Sequence, residues 1–254
     1  MDIALTTIIL CAIAFFVAGF IDAIGGGGGL ITLPTLLLTD LAPHQVLGTN
    51  KFGVACGSLC ALFAYLKSGM VVVRLLPLGF ASAFAGGMLG SCVALVLDSA
   101  VLGKVLVFML PIGIVVSLFM GHGGADEGEM PRKGVWWRVC AIGLAVGTYD
   151  GFFGPGTGSF LIIALHMVMR LGLVRCSATA KIMNLASNVG AYVMLASGGV
   201  VVYTLAIPCA VANVLGNLLG VRMSLRVGAR AVRFFLYVAL MLLMATLVWR
   251  FFLA

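Results

Sequence analysis

Long charge-free apolar stretches alternate with short polar or glycine-rich breaks along this chain. Residues 3 to 21, 75 to 97, 105 to 121 and 234 to 249 carry no charge. They meet or approach the roughly 20 apolar residues that an α-helix needs to cross a bilayer. The run from 182 to 221 is also uncharged but too long for one crossing, and Ser197-Gly198-Gly199 falls where a turn would divide it, which predicts two helices. The runs 23 to 39 and 151 to 165 open on glycine-rich sequence, leaving each too few good helical residues for a full crossing. The pattern predicts an all-α integral membrane protein of about ten segments, two of them interrupted helices.

Composition agrees. Of 254 residues, 63% are hydrophobic and 9% charged, far below the charge of about 25% usual in soluble domains. No basic residue precedes the first apolar run and no small-residue cleavage site follows it, so a removable signal peptide is not expected. Cys11, Cys56, Cys60, Cys92, Cys140, Cys176 and Cys209 show no paired ligand spacing, so neither a metal site, a cofactor nor a disulfide framework is expected.

The chain repeats itself. Gly19-Phe20-Ile21-Asp22-Ala23, Gly25 to Gly29 and Thr49-Asn50-Lys51 are answered by Gly147-Thr148-Tyr149-Asp150-Gly151, Gly154-Pro155-Gly156-Thr157-Gly158 and Thr179-Ala180-Lys181. Ser68-Gly69, Val71 to Val73 and Pro77 are answered in the same order by Ser197-Gly198, Val200 to Val202 and Pro208. The division is therefore 1–120, a hydrophilic linker 121–134 with Asp126, Glu127, Glu129, Arg132 and Lys133, and 135–254.

Five segments in each half, roughly 3 to 24, 28 to 41, 46 to 66, 71 to 97 and 101 to 120 in the first, would make the second half inverted. Ten alternating segments place Lys67, Arg74, Arg132, Lys133, Arg138, Arg170, Arg175, Arg222, Arg226, Arg230 and Arg233 on one side, the cytoplasmic one, and leave Lys104 and Arg250 opposite. Both termini then lie outside. The net charge of +7 belongs to loops facing anionic lipid and calls for no nucleic acid.

Lys51 and Lys181 are left at membrane depth in matching repeat positions, as are Asp22 and Asp150. A charge at the bilayer centre costs about 2.5 to 3.5 kcal/mol, so four uncompensated ones cost on the order of 10 kcal/mol. Two readings stay open for the aspartates. They cap the following helices or pair with the lysines, or they load and release protons. For the lysines, neutralising an anionic substrate stands against pairing. Asn184 and Asn188 share a helical face with Lys181, and Thr49 and Asn50 flank Lys51. Substrate contact and interhelical hydrogen bonding compete for them.

Glycine clusters ahead of apolar helices aim backbone N–H groups and the positive end of a helix dipole into a loop, which suits an anion. Gly27, Gly28 and Gly29 would contribute from one loop, and Gly156, Thr157, Gly158 and Ser159 from the other. Tight turns and close packing are the plainer use of glycine. Gly53/Gly57, Gly86/Gly90 and Gly216/Gly220 have the spacing that lets helices approach closely, within one protomer or across a homodimer. His44, His122 and His166 are expected near segment ends, and Asn213 and Asn217 either line a cavity or bond neighbouring helices.

Gly19-Phe20-Ile21-Asp22 with Gly25 to Gly29, Pro34 and Leu47-Gly48-Thr49-Asn50-Lys51 resembles the first signature of the sulfite exporter TauE/SafE family. Tyr149-Asp150-Gly151-Phe152-Phe153-Gly154-Pro155-Gly156-Thr157-Gly158 with Ala178-Thr179-Ala180-Lys181 and Asn184 resembles its second. The resemblance implies a bacterial inner-membrane permease for sulfite, thiosulfate, sulfoacetate, isethionate or related anions, coupled to protons. A passive anion channel and a membrane-embedded enzyme are the rival readings, and the second lacks any recognised catalytic arrangement.

Overall fold

The structure is a computed structural model that describes residues 4–25, 27–67, 69–119, 131 and 133–224. Among them are nine α-helices: α1 Leu5–Gly25, α2 Gly29–Leu37, α3 Pro43–Lys67, α4 Leu76–Val96, α5 Ser99–Phe119, α6 Val135–Phe152, α7 Thr157–Met169, α8 Leu173–Ser197 and α9 Tyr203–Ser224. A 3-10 turn, Val73–Leu75, leads into α4. Among the described residues, four stretches are long and apolar enough to span a bilayer: Leu5–Ala23, Pro43–Lys67, Val73–Val96 and Tyr203–Arg222. The uncharged run does divide as its glycines predict, with α8 ending at Ser197 and α9 starting at Tyr203.

The glycine run is a shorter break than its sequence suggests. Gly25 ends α1 and Gly29 opens α2, because the two helices need only a sharp change of direction between them, and Gly27 supplies it at φ 101°. With nine residues, α2 is only about 14 Å long. With thirteen, α7 reaches only about 20 Å, short of a hydrocarbon core of about 30 Å. Arg170 ends α7 in the left-handed conformation, its N–H bonded to the His166 carbonyl. The tenth segment, most of the linker, His122 and the Arg226, Arg230 and Arg233 cluster lie outside the described residues.

Packing pairs the halves crosswise: α1 lies along α9, α4 along α6, and α3 against α8. Small residues make this contact. A Cβ added at Gly86 of α4 would sit 2.6 Å from the Leu144 carbonyl oxygen of α6, and one at Gly220 of α9 would sit 2.8 Å from Ala23 Cβ of α1. Gly53 and Gly57 of α3 are closed by Phe15 and by the Asn213 and Asn217 side chains. All three glycine pairs therefore serve contacts within this chain. In lipid, where apolar surface gains nothing by leaving its surroundings, such close approach is what holds helices together. The outward faces are apolar, with Ile9, Ile13, Leu89, Val93, Val211 and Leu215 exposed, while Asp22, Asn50, Lys51, Asp150, Asn184 and Asn188 are buried.

Two hydrogen bonds repeat across the halves. The Val202 N–H donates to Thr49 Oγ1 at 3.2 Å. The Val72 N–H donates to Thr179 Oγ1 at 3.1 Å. In each case a buried threonine before the membrane lysine ties its helix to the loop that leads into the partner half's α9 or α4.

Candidate functional site

The ends of α1 and α6, the starts of α2 and α7, and the middles of α3 and α8 meet in the interior. Lys51 Nζ lies 2.9 Å from Asp150 Oδ1, with side-chain exposures of 1% and 2%. Lys181 Nζ lies 3.0 Å from Asp22 Oδ2, with 10% exposure on each side. Each lysine thus pairs with the aspartate of the opposite half. The pairing reading of these charges describes this conformation, and it leaves the four formal charges summing to zero.

The two pairs are not alike in their surroundings. Asp150 Oδ1 also accepts from the Thr157 hydroxyl at 2.8 Å, and Asp150 Oδ2 accepts from the Ser187 hydroxyl at 2.7 Å. Lys51 donates further to Asn188 Oδ1 at 3.2 Å. Asp22 Oδ1 accepts a long bond from the Gly28 N–H, 3.4 Å, a weak version of the expected cap. Lys181 holds the Asp22 backbone carbonyl as well, and the Tyr65 hydroxyl donates to the next carbonyl, that of Ala23.

A cavity of about 20 Å³ lies between the broken helices, lined by Asp22, Gly27, Gly29, Asn50, Lys51, Val54, Asp150, Gly154, Gly156, Thr157, Gly158, Asn184 and Asn188. That is room for a water molecule, so a polyatomic anion would need the walls to part. First-turn amides of α2 and α7 have no helical carbonyl four residues upstream, and both turns border this space. Their loops partly fold back on them: the Leu30 N–H reaches the Gly27 carbonyl and the Thr157 N–H the Gly154 carbonyl.

Most of the residues singled out from sequence converge here. Lys181 stands behind Asp22, outside the lining. Thr49 binds the Val202 N–H instead, and Gly28 and Ser159 are likewise outside the lining. Gly28 packs under α1, where an added Cβ would lie 2.6 Å from the Ala18 carbonyl oxygen. Asn213 bonds a neighbouring helix, its Nδ2 donating to the Phe15 carbonyl of α1 at 2.9 Å, while Asn217 Nδ2 donates within α9 to Asn213 Oδ1 at 3.0 Å. His44 touches Ser99 and the Ala94 carbonyl near helix ends.

Sequence reasoning missed Ser187 and Val54, and it placed Gly154 in the glycine cluster without seeing its contact with Lys51. The spacing of Ser187 from Asn184, one helical turn, was the available signal for the first. Gly154 has φ 100°, and a Cβ there would lie 2.8 Å from Lys51 Nζ. Only the folded position of that lysine reveals the constraint.

The family model described as Sulfite exporter TauE/SafE matches residues 11–247. A protein of Haemophilus influenzae, named as a probable membrane transporter, is 35% identical over 234 residues, which cover 92% of this chain and 91% of its own. A second such protein, ORF9 of Sinorhizobium sp, is 34% identical across 91% of this chain and 88% of its own. YfcA of Escherichia coli K12, also named as a probable membrane transporter, is 33% identical across 89% of this chain and 84% of its own. No solved structure matches the chain. Nearly full-length similarity to transporters, together with membrane-length helices and a polar interior, makes the chain a multi-pass membrane transporter and not an enzyme. It belongs to the sulfite exporter TauE/SafE family.

Proposed function

We propose that the protein carries a small sulfur-containing anion, such as sulfite, thiosulfate or a C2 sulfonate, across the bacterial inner membrane with protons, by alternating access. The observation that carries this reading is the exchanged Lys51–Asp150 and Lys181–Asp22 pairs at a cavity bordered by two helix N-termini. Broken helices at corresponding places in two halves mark the binding site of many secondary transporters. The family's description supports a sulfur oxyanion as cargo.

The charge sum gives the coupling. Two lysines and two aspartates balance, so an anion entering alone would bring an uncompensated charge into a poorly solvated site. A proton on Asp22 or Asp150 removes one negative charge and releases its lysine, which then has the anion as partner. Proton and anion enter together because either alone is costly. Release on the far side reverses both steps and lets the ion pair re-form.

Two inverted five-segment halves, 1–120 and 135–254 joined by 121–134, would rock around this site with both termini outside. The crosswise contacts of α1 with α9 and α4 with α6, and the matched threonine bonds, support that symmetry. The test is uptake of labelled sulfite into proteoliposomes. A pH gradient should drive accumulation in the intact protein and fail to do so in Asp22→Asn. Equal, gradient-independent flux in both proteins would instead identify a passive channel.

A further inference from the structure

Asn50 is 2% exposed and lines the cavity, yet its Oδ1 atom is buried with no hydrogen-bond partner. Among the described residues Asn217 Oδ1 shares this condition, but Asn217 lies in α9, outside the lining. A buried acceptor left unpaired is destabilising, and natural structures retain few of them. One that borders a binding cavity asks for a donor from whatever occupies it.

The rest of the lining sharpens that request. Lys51 donates to Asp150 and Asn188, and the Asn188 amide donates to the Asn184 carbonyl and to Asn184 Oδ1. None of these donors reaches Asn50 Oδ1. A bare oxyanion has only acceptor oxygens and would meet Asn50 Oδ1 as a repulsive neighbour. The four charges of the two ion pairs balance, so admitting a dianion would require two compensating protons where a monoanion requires one.

Resting on the reading of this cavity as the anion site, we propose that its cargo is a singly charged oxyanion that itself carries an O–H or N–H, and that this hydrogen is donated to Asn50 Oδ1. The site would thus select a protonated or donor-bearing monoanion over a dianion of the same shape. The opposite half lacks the feature: the residue matching Asn50 is Ala180, buried at 1% exposure. Selection for the donor is therefore one-sided. The same match shows that alanine is accommodated at this helical position, so Asn50→Ala is expected to fold.

Three tetrahedral probes of similar size separate the terms: sulfamate is a monoanion with N–H donors, methanesulfonate a monoanion without them, and sulfate a dianion without them. Calorimetric titration of the purified full-length protein should give about tenfold tighter binding of sulfamate than of methanesulfonate, with sulfate weakest, one hydrogen bond being worth roughly that factor. In Asn50→Ala, sulfamate should fall to the level of methanesulfonate while methanesulfonate stays within about twofold. Equal binding of the two monoanions by the intact protein would overturn the proposal, since Asn50 would then bond water or present its amide N–H. So would sulfate binding best, or a parallel loss of both monoanions in the variant. Should Asn50→Ala fail to fold, the ranking in the intact protein still decides. Binding of none of the three would instead bring down the anion-site reading together with this inference.

Discussion

Lys51 of α3 and Asp150 of α6 form a buried ion pair that joins the two halves of the chain, 2.9 Å from nitrogen to oxygen. Both side chains are sealed from solvent, so removing one partner strands a charge where nothing replaces its counter-ion. Breaking such a pair costs about 3 to 5 kcal/mol, whereas replacing both members is often nearly neutral. Lys51→Met should therefore lower the melting temperature of the purified protein sharply, and Lys51→Met with Asp150→Leu should recover much of it. Transport should be lost in both. Equal melting temperatures for the single and double variants would mean that the pair does not act as a unit.

Asp22 and Lys181 form the more open pair, and Lys181 keeps its bond to the Asp22 backbone carbonyl whatever the side chain carries. Asp22→Asn should accordingly cost less stability than Asp150→Asn, by about 1 to 2 kcal/mol, since Asp150 also holds the Thr157 and Ser187 hydroxyls. Under the proton-coupled reading, Asp22→Asn should still exchange labelled anion across a vesicle membrane while losing accumulation driven by a pH gradient. Denaturation curves of the two variants, set beside exchange and uptake assays, check both halves of this expectation.

Gly90 and Gly69 distinguish two uses of glycine. A Cβ at Gly90 in α4 would come 2.7 Å from the Phe152 N atom of α6, and closer still to the Thr148 carbonyl oxygen. Gly69 has open space around it but φ 69°. Gly90→Ala forces two helices apart and should cost about 1 to 3 kcal/mol. Gly69→Ala should cost about 1 to 2 kcal/mol from backbone strain alone. Gly69→Asn should recover part of that, because asparagine tolerates the left-handed region, whereas no side chain should rescue position 90. Thermal melts of the three variants discriminate the cases.

How far the sequence reached depended on whether a feature repeats or is charged. The lysines and aspartates stood out because membrane depth makes them expensive, and their matching positions in two halves marked them as a set. What the sequence did not contain was their exchange of partners. Lys51 with Asp150 and Lys181 with Asp22 are distant in the chain, and either aspartate was a chemically acceptable partner for either lysine. The contact of Gly154 with Lys51 and the support from Ser187 escaped notice for the same reason: each is defined by what a remote side chain does. Helix ends were legible where glycine pairs broke a long run, as at Ser197, and less so in the Gly25 to Gly29 run, where Gly25 and Gly29 joined the helices they were expected to separate.

Thr49 and Thr179 allow the equivalence of the two halves to be tested without touching the charges. Each hydroxyl accepts the N–H of the residue that leads into a helix of the other half, Val202 in one case and Val72 in the other. Valine conserves the shape and removes the acceptor, leaving a partly buried N–H unpaired, a loss of about 1 to 3 kcal/mol at each position. Thr49→Val and Thr179→Val should therefore destabilise by similar amounts. The double variant should lose the sum, since these bonds share no partner. If the halves move against each other during transport, both substitutions also loosen a joint between them, and should change turnover more than the apparent affinity for anion. A large difference in cost between the two variants, measured by denaturant titration in the same detergent, would show that the matched bonds carry unequal loads, and that the resemblance between the halves stops at geometry.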